Sequence, residues 1–191
     1  VEIGGSYEDQ KEMFGDLIML LAMIIILVYI VMASQFESFM SPFVIMFSIP
    51  FAFVGVLLGL FVTGTPLGVM GMIGILILMG IVVKNGIVLI DYTILMRERG
   101  KSVAEASVIA ARSRLRPILM TTLTTVLGMI PMAIGQGEGS EMWRSLGMVV
   151  AWGLSISTLV TLVIIPTVYA SMASWQERRA ARKAAKKLAN A

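Results

Sequence analysis

The sequence predicts an all-α integral membrane fold, a bundle of five transmembrane helices plus a cytoplasmic-side amphipathic helix. Two observations carry that prediction. Of the 191 residues 58% are hydrophobic and 14% are charged, with a mean hydropathy of +0.90. Soluble domains run at roughly 45–50% apolar and about 25% charged. The apolar residues are also gathered into five long runs, each able to cross a hydrocarbon core of ~30 Å at ~1.5 Å per residue.

Residues 1–13, which open VEIGGSYEDQ, are polar and carry neither a basic n-region nor a cleavage signal. They are expected to be the end of an extracytoplasmic segment rather than a signal peptide. With valine first, the chain reads as a piece of a longer one. The transmembrane domain is expected over 14–172, beginning with a span at about 14–32.

The second span is placed at 42–62. Pro42 suits its start, where a missing N–H costs nothing, and Pro50 should kink it. Within it Gly55 and Gly59 form a GxxxG pair that lets another helix approach closely, either inside the bundle or from a second copy. The third span, 67–92, is thinned by Gly71, Gly74, Gly80 and Gly86.

The stretch KSVAEASVIAARSRLRP then predicts the amphipathic helix, at about 102–115. Ser102 and Glu105 stand at capping-box spacing. Val103, Ala106, Ile109 and Ala110 form an apolar stripe, and the arginines are positioned to meet lipid phosphates. The fourth span follows at 117–134, with Pro117 at its start, and the fifth at 142–172. Pro131 and Pro166 are expected to kink or stop their helices. Residues 173–191 form a basic tail of helix-forming composition.

Charge sets the orientation. Arg97, Arg99, Lys101, Arg112, Arg114 and Arg116 lie between the third and fourth spans, and Arg178, Arg179, Arg182, Lys183, Lys186 and Lys187 lie in the tail. Both groups fall on one side, which the positive-inside rule makes cytoplasmic. The N-terminus, with Glu2, Glu8, Asp9, Glu12 and Asp16, and the loop GQGEGSEMWR then lie outside.

Several function classes fall away. The sequence has no cysteine and no histidine, so disulfides, thiol chemistry and imidazole chemistry have no residues to use. The sixteen methionines are scattered through apolar runs and read as packing residues rather than metal ligands. No glycine-rich phosphate loop follows a strand, and no carboxylate pair sits in mid-span, so the chain does not read as an enzyme. Nucleic acid is not an expected partner, because the basic residues flank membrane spans; the lipid bilayer is.

The informative residues are polar ones inside the spans. In GIVVKNGIVLID, Lys84 and Asn85 interrupt an otherwise apolar run about 25 Å from the outer end of the third span. Snorkelling toward the cytoplasm is the structural account of such a lysine. Asp91 follows seven residues later on nearly the same face. In the fourth span Arg114, Thr121 and Thr125 are spaced by seven and four and share a stripe. Threonines in membrane helices also commonly bond their own preceding turn. Within the spans the acids are Asp16 and Asp91, near opposite ends. Neither is placed to neutralise Lys84, so the lysine points to a partner outside the chain.

GIVVKNGIVLIDY and RSRLRPILMTTLTTVLGMIPMAIGQGEG, with SQFESFMSPFVIMFSIPFAFVGVLLGL before them, resemble the C-terminal membrane half of resistance-nodulation-division (RND) efflux transporters, in the hydrophobe/amphiphile (multidrug) branch. The likeness runs from residue 1 to about 175. It implies a bacterial inner-membrane exporter, trimeric, coupling proton influx to efflux of drugs or other amphiphilic compounds, with protons as coupling ion and no other cofactor. It implies as partners an N-terminal half and periplasmic domains. It also implies a proton relay in which Lys84, Arg114 and Thr121 face aspartates of the other half; Asn85, Asp91 and Thr125 are expected, from their places in the spans, as supporting polar residues. The competing expectation is an autonomous small membrane channel or scaffold that homodimerises.

Overall fold

In the computed structural model the chain is helical throughout its elements. The order is α1 (Glu2–Phe36), α2 (Met40–Met46), α3 (Ile49–Thr63), α4 (Val69–Glu98), α5 (Val103–Ile134) and α6 (Ser140–Ala189). The structure describes residues 2–135, 137 and 139–189, and side chains at 8–135, 137, 139–175, 179 and 182. Gln136 and Glu138 of the α5–α6 loop, and the side chains of Glu2, Arg178, Lys183, Lys186 and Lys187, lie outside the described residues.

Among the described residues five segments are long and apolar enough to cross a membrane: Glu8–Phe36, Met40–Thr63, Val69–Glu98, Val103–Ile134 and Ser140–Trp175. Each overlaps one expected span, although the expected third span, 67–92, begins two residues before α4, and the fold is an all-α membrane bundle. The helices run past the expected ends, because a helix in lipid need not stop where its apolar run stops. α4 carries on through Arg97 to Glu98, and α6 takes up the basic tail as far as Ala189.

The second span is divided. Phe47 and Ser48 keep right-handed helical angles (ψ −17° and −22°), but the amide of Ser48 bonds the carbonyl of Ile45, three residues back, at 3.0 Å. Its hydroxyl donates to that same oxygen at 2.6 Å. The tightened turn meets Pro50, the second residue of α3, where the absent N–H leaves the regular ladder one bond short. α3 ends at Gly64, which has φ 62° and donates its N–H to the carbonyl of Leu60, the left-handed cap that glycine adopts without steric cost.

Pro117 differs from expectation. It stands inside α5, and the amphipathic stretch and the fourth span form one uninterrupted helix that starts at the Ser102–Glu105 capping box. One proline removes one hydrogen bond, whereas the turns on either side keep theirs, and membrane helices tolerate such a loss. Pro131 and Pro166 also lie inside their helices, Pro131 one turn before the end of α5.

α6 is the central helix, packed against α3, α4 and α5, while α1 touches α2 and α4. The glycine pair of α3 explains the closeness of α3 to α6. A Cβ on Gly55 would stand 3.0 Å from the Cβ of Ile156 and 3.1 Å from the Cα of Gly153, and one on Gly59 would overlap the side chain of Trp152. The GxxxG face is therefore occupied within the bundle. Leu78, Leu89, Ile90, Leu154 and Ile165 are among the fully buried residues of the core. α1 buries only 6% of its apolar window, so lipid or protein must cover the rest.

Candidate functional site

The polar residues of interest lie on α4 and α5, antiparallel neighbours joined by the short connection 99–102. α4 buries Met79, Val82, Val83, Gly86, Leu89 and Ile90 in the bundle and leaves Ile77, Gly80, Lys84 and Asp91 exposed on one stripe. Lys84 sits about 22 Å along the helix from Val69, well inside an apolar run. Among the described residues, Lys84, Asn85 and Asp91 make no hydrogen bond or ion pair. Asn85, beside the lysine, is half-buried.

Arg114 is half-buried on α5. The Cζ of its guanidinium stands 4.8 Å above the ring centroid of Tyr92 on α4, and its Nε is buried with no hydrogen-bond partner among the described residues. This contact fixes the register of the two helices. From it, Lys84 lies eight residues along α4 and Thr121 seven along α5, in the same direction because the helices are antiparallel. That is ~12 Å and ~10.5 Å of rise, so the two share one depth to within about a residue.

The threonines are less available than the charges. The hydroxyl of Thr121 donates to the backbone carbonyls of Pro117 (3.1 Å) and Ile118 (2.9 Å), and that of Thr125 to the carbonyl of Thr121 at 2.9 Å. These are the local bonds that threonine makes in apolar helices. Thr121 nonetheless lies on the exposed side of α5, with Met120 and Thr124, while Thr125 is half-buried. The structure thus brings Arg114 against α4 and sets Lys84 and Thr121 at one level. No hydrogen bond joins those two.

Sequence reasoning passed over three residues. Tyr92 holds Arg114; Tyr169 accepts a hydrogen bond from Arg97 at 3.3 Å; Thr158 pairs with Thr122. Tyr92 had a usable signal, being an aromatic residue next to Asp91 at the end of an apolar run, where tyrosines collect at membrane interfaces.

Five membrane-length helices among the described residues, with ionisable groups inside them that find no partner there, define a multi-pass membrane protein. The profile of the AcrB/AcrD/AcrF family matches residues 1–173, and the chain belongs to that family of RND transporters. It is 41% identical over 180 residues to the swarming motility protein SwrC of Bacillus subtilis (strain 168), covering 94% of this chain and 17% of that one. It is 39% identical over 183 residues to the multidrug resistance protein MdtC of Proteus mirabilis (strain HI4320), covering 95% and 18%. Crystal structures of a heavy metal efflux pump superpose with TM-scores of 0.79 and 0.74 at 33% identity. They cover 88% and 85% of this chain, and 16% of the pump in each case. The chain therefore spans less than a fifth of the length of these relatives.

Proposed function

We propose that the chain is the C-terminal membrane half of a proton-driven exporter, oriented with its basic end in the cytoplasm. It supplies the cationic side of the proton relay: Lys84 and Arg114, with Thr121 beside them and Asn85, Asp91 and Thr125 in support. The observation that carries this reading is the position of Lys84. A lysine exposed in mid-span, level with Thr121 and unpaired among the described residues, needs an anion from outside the chain. Carboxylates on a helix of the N-terminal half, laid along the exposed stripe of α4, meet that need. Protonating such a carboxylate removes its ion pair with Lys84 and frees the lysine to reorient, which biases a two-state arrangement of helices. Protons are the coupling ion in this scheme.

The favoured cargo is a drug or other amphiphile. That choice is supported by the resemblance to the multidrug branch, by the likeness to MdtC, and by a sequence with neither cysteine nor histidine. Capture of cargo belongs to periplasmic domains of the trimeric parent rather than to this membrane part. The test is Lys84→Ala in the full-length parent, reconstituted in proteoliposomes with an imposed proton gradient. Export and proton entry should both collapse while the protein still assembles; export at the unaltered rate would sink the relay.

A further inference from the structure

We propose that Tyr92 is a positioning residue that clamps the guanidinium of Arg114 with the face of its ring. The proposal rests on the relay reading above and assigns a role to a residue outside that relay. Arg114 is half-buried, and its buried Nε makes no hydrogen bond among the described residues. A guanidinium stripped of water on one side needs something in place of that water. The π-face of Tyr92, 4.8 Å from Cζ, supplies it.

Tyr92 acts through its ring. Its hydroxyl makes no hydrogen bond among the described residues. One turn further along α4 the opposite design appears, where Arg97 donates to the hydroxyl of Tyr169 on α6 at 3.3 Å. Arg114 and Arg97 are thus held in different ways, one by an aromatic face and one by a phenol oxygen. An arginine without its clamp has a long flexible stem and reaches for the polar boundary. Its charge would then move away from the depth at which Lys84 and Thr121 lie.

The clamp is tested with Tyr92→Phe, Tyr92→Leu, Arg114→Met and the Leu–Met double variant of the full-length parent, by proton-driven export in proteoliposomes across a pH series. Tyr92→Phe should keep both the rate and the pH profile, because the ring face remains. Tyr92→Leu should lower the rate by roughly tenfold. It should also move the profile to higher pH, since withdrawing a positive charge makes a facing carboxylate easier to protonate. It should add nothing in the Arg114→Met background. If the leucine variant fails to assemble, Tyr92→Met, similar in volume to leucine but unbranched and more adaptable, removes the ring and serves in its place. Full activity of the ringless variant alongside an inactive Arg114→Met overturns the clamp and leaves the relay standing. Equal losses for Phe and Leu point to the hydroxyl and overturn it too. An active Arg114→Met removes Arg114 from the relay, and the clamp with it.

Discussion

The hydroxyls of Thr122 and Thr158 lie 3.1 Å apart in the seam between α5 and α6, and both residues are buried. Either can donate, so each satisfies the other in surroundings that offer no water. One turn on along α6, the buried hydroxyl of Thr161 has no partner among the described residues. Thr122→Val leaves the Thr158 oxygen to find its own backbone or go unpaired, and should cost about 1 kcal/mol of stability. The Val–Val double variant should lose less than the sum of the singles, because it strands no polar atom. Reversible unfolding in mixed micelles measures all four proteins. Strictly additive losses would mean that the two hydroxyls do not work as a pair.

The pair also shows where sequence reading stops. Membrane spans are legible because length and hydropathy alone decide them. Lys84 and Arg114 were visible because a charge in an apolar run is costly wherever the neighbours lie. Pro117 was misread as a helix start, since its local preference for that position gave way to two good helical stretches on either side. Thr158 carried no signal of its own. Threonines recur in α5 and α6, and which two meet depends on the rotation and register of helices packed at close range. Tyr92 was hidden in the same way: its role depends on a residue 22 positions later, brought back by the turn between α4 and α5. The GxxxG pair was legible as a contact, yet its partner, Trp152 and Gly153 on α6, was not.

That contact gives a sharp test of packing. A Cβ at Gly59 would overlap Trp152, with the indole Cδ1 at 2.9 Å, whereas one at Gly80 meets nothing within 4 Å. Gly59→Ala should therefore destabilise the bundle by ~1–3 kcal/mol, as over-packing of a filled interior does. Gly80→Ala should be neutral or stabilising by up to about 1 kcal/mol, since it removes backbone freedom from the middle of a helix. Trp152→Ala in the Gly59→Ala background should recover part of the loss, because it opens the space that the methyl needs. Thermal unfolding in one detergent compares them. Equal effects at Gly59 and Gly80 would show that α3 and α6 are not held at the distance seen here.

Orientation follows from the ends of the same helices. The α4–α5 turn gathers Arg97, Arg99 and Lys101, with Arg112, Arg114 and Arg116 on the third and fourth turns of α5; the opposite end carries Glu8, Asp9, Glu12, Asp16 and Glu141 against Lys11 and Arg144. Loops rich in lysine and arginine stay in the cytoplasm, so the α4–α5 turn should be cytoplasmic and the start of α6 extracytoplasmic. This chain contributes no cysteine, so in a parent cleared of cysteines elsewhere single-cysteine labelling is free of background. Glu141→Cys and Lys101→Cys replace exposed residues at the two ends. In intact cells, a maleimide that cannot cross the cytoplasmic membrane should label Glu141→Cys and spare Lys101→Cys, and lysis should make both react. The reverse pattern would invert the bundle. It would also put the Tyr92–Arg114 contact near the external face, where a relay loading protons from outside would meet its arginine before its lysine.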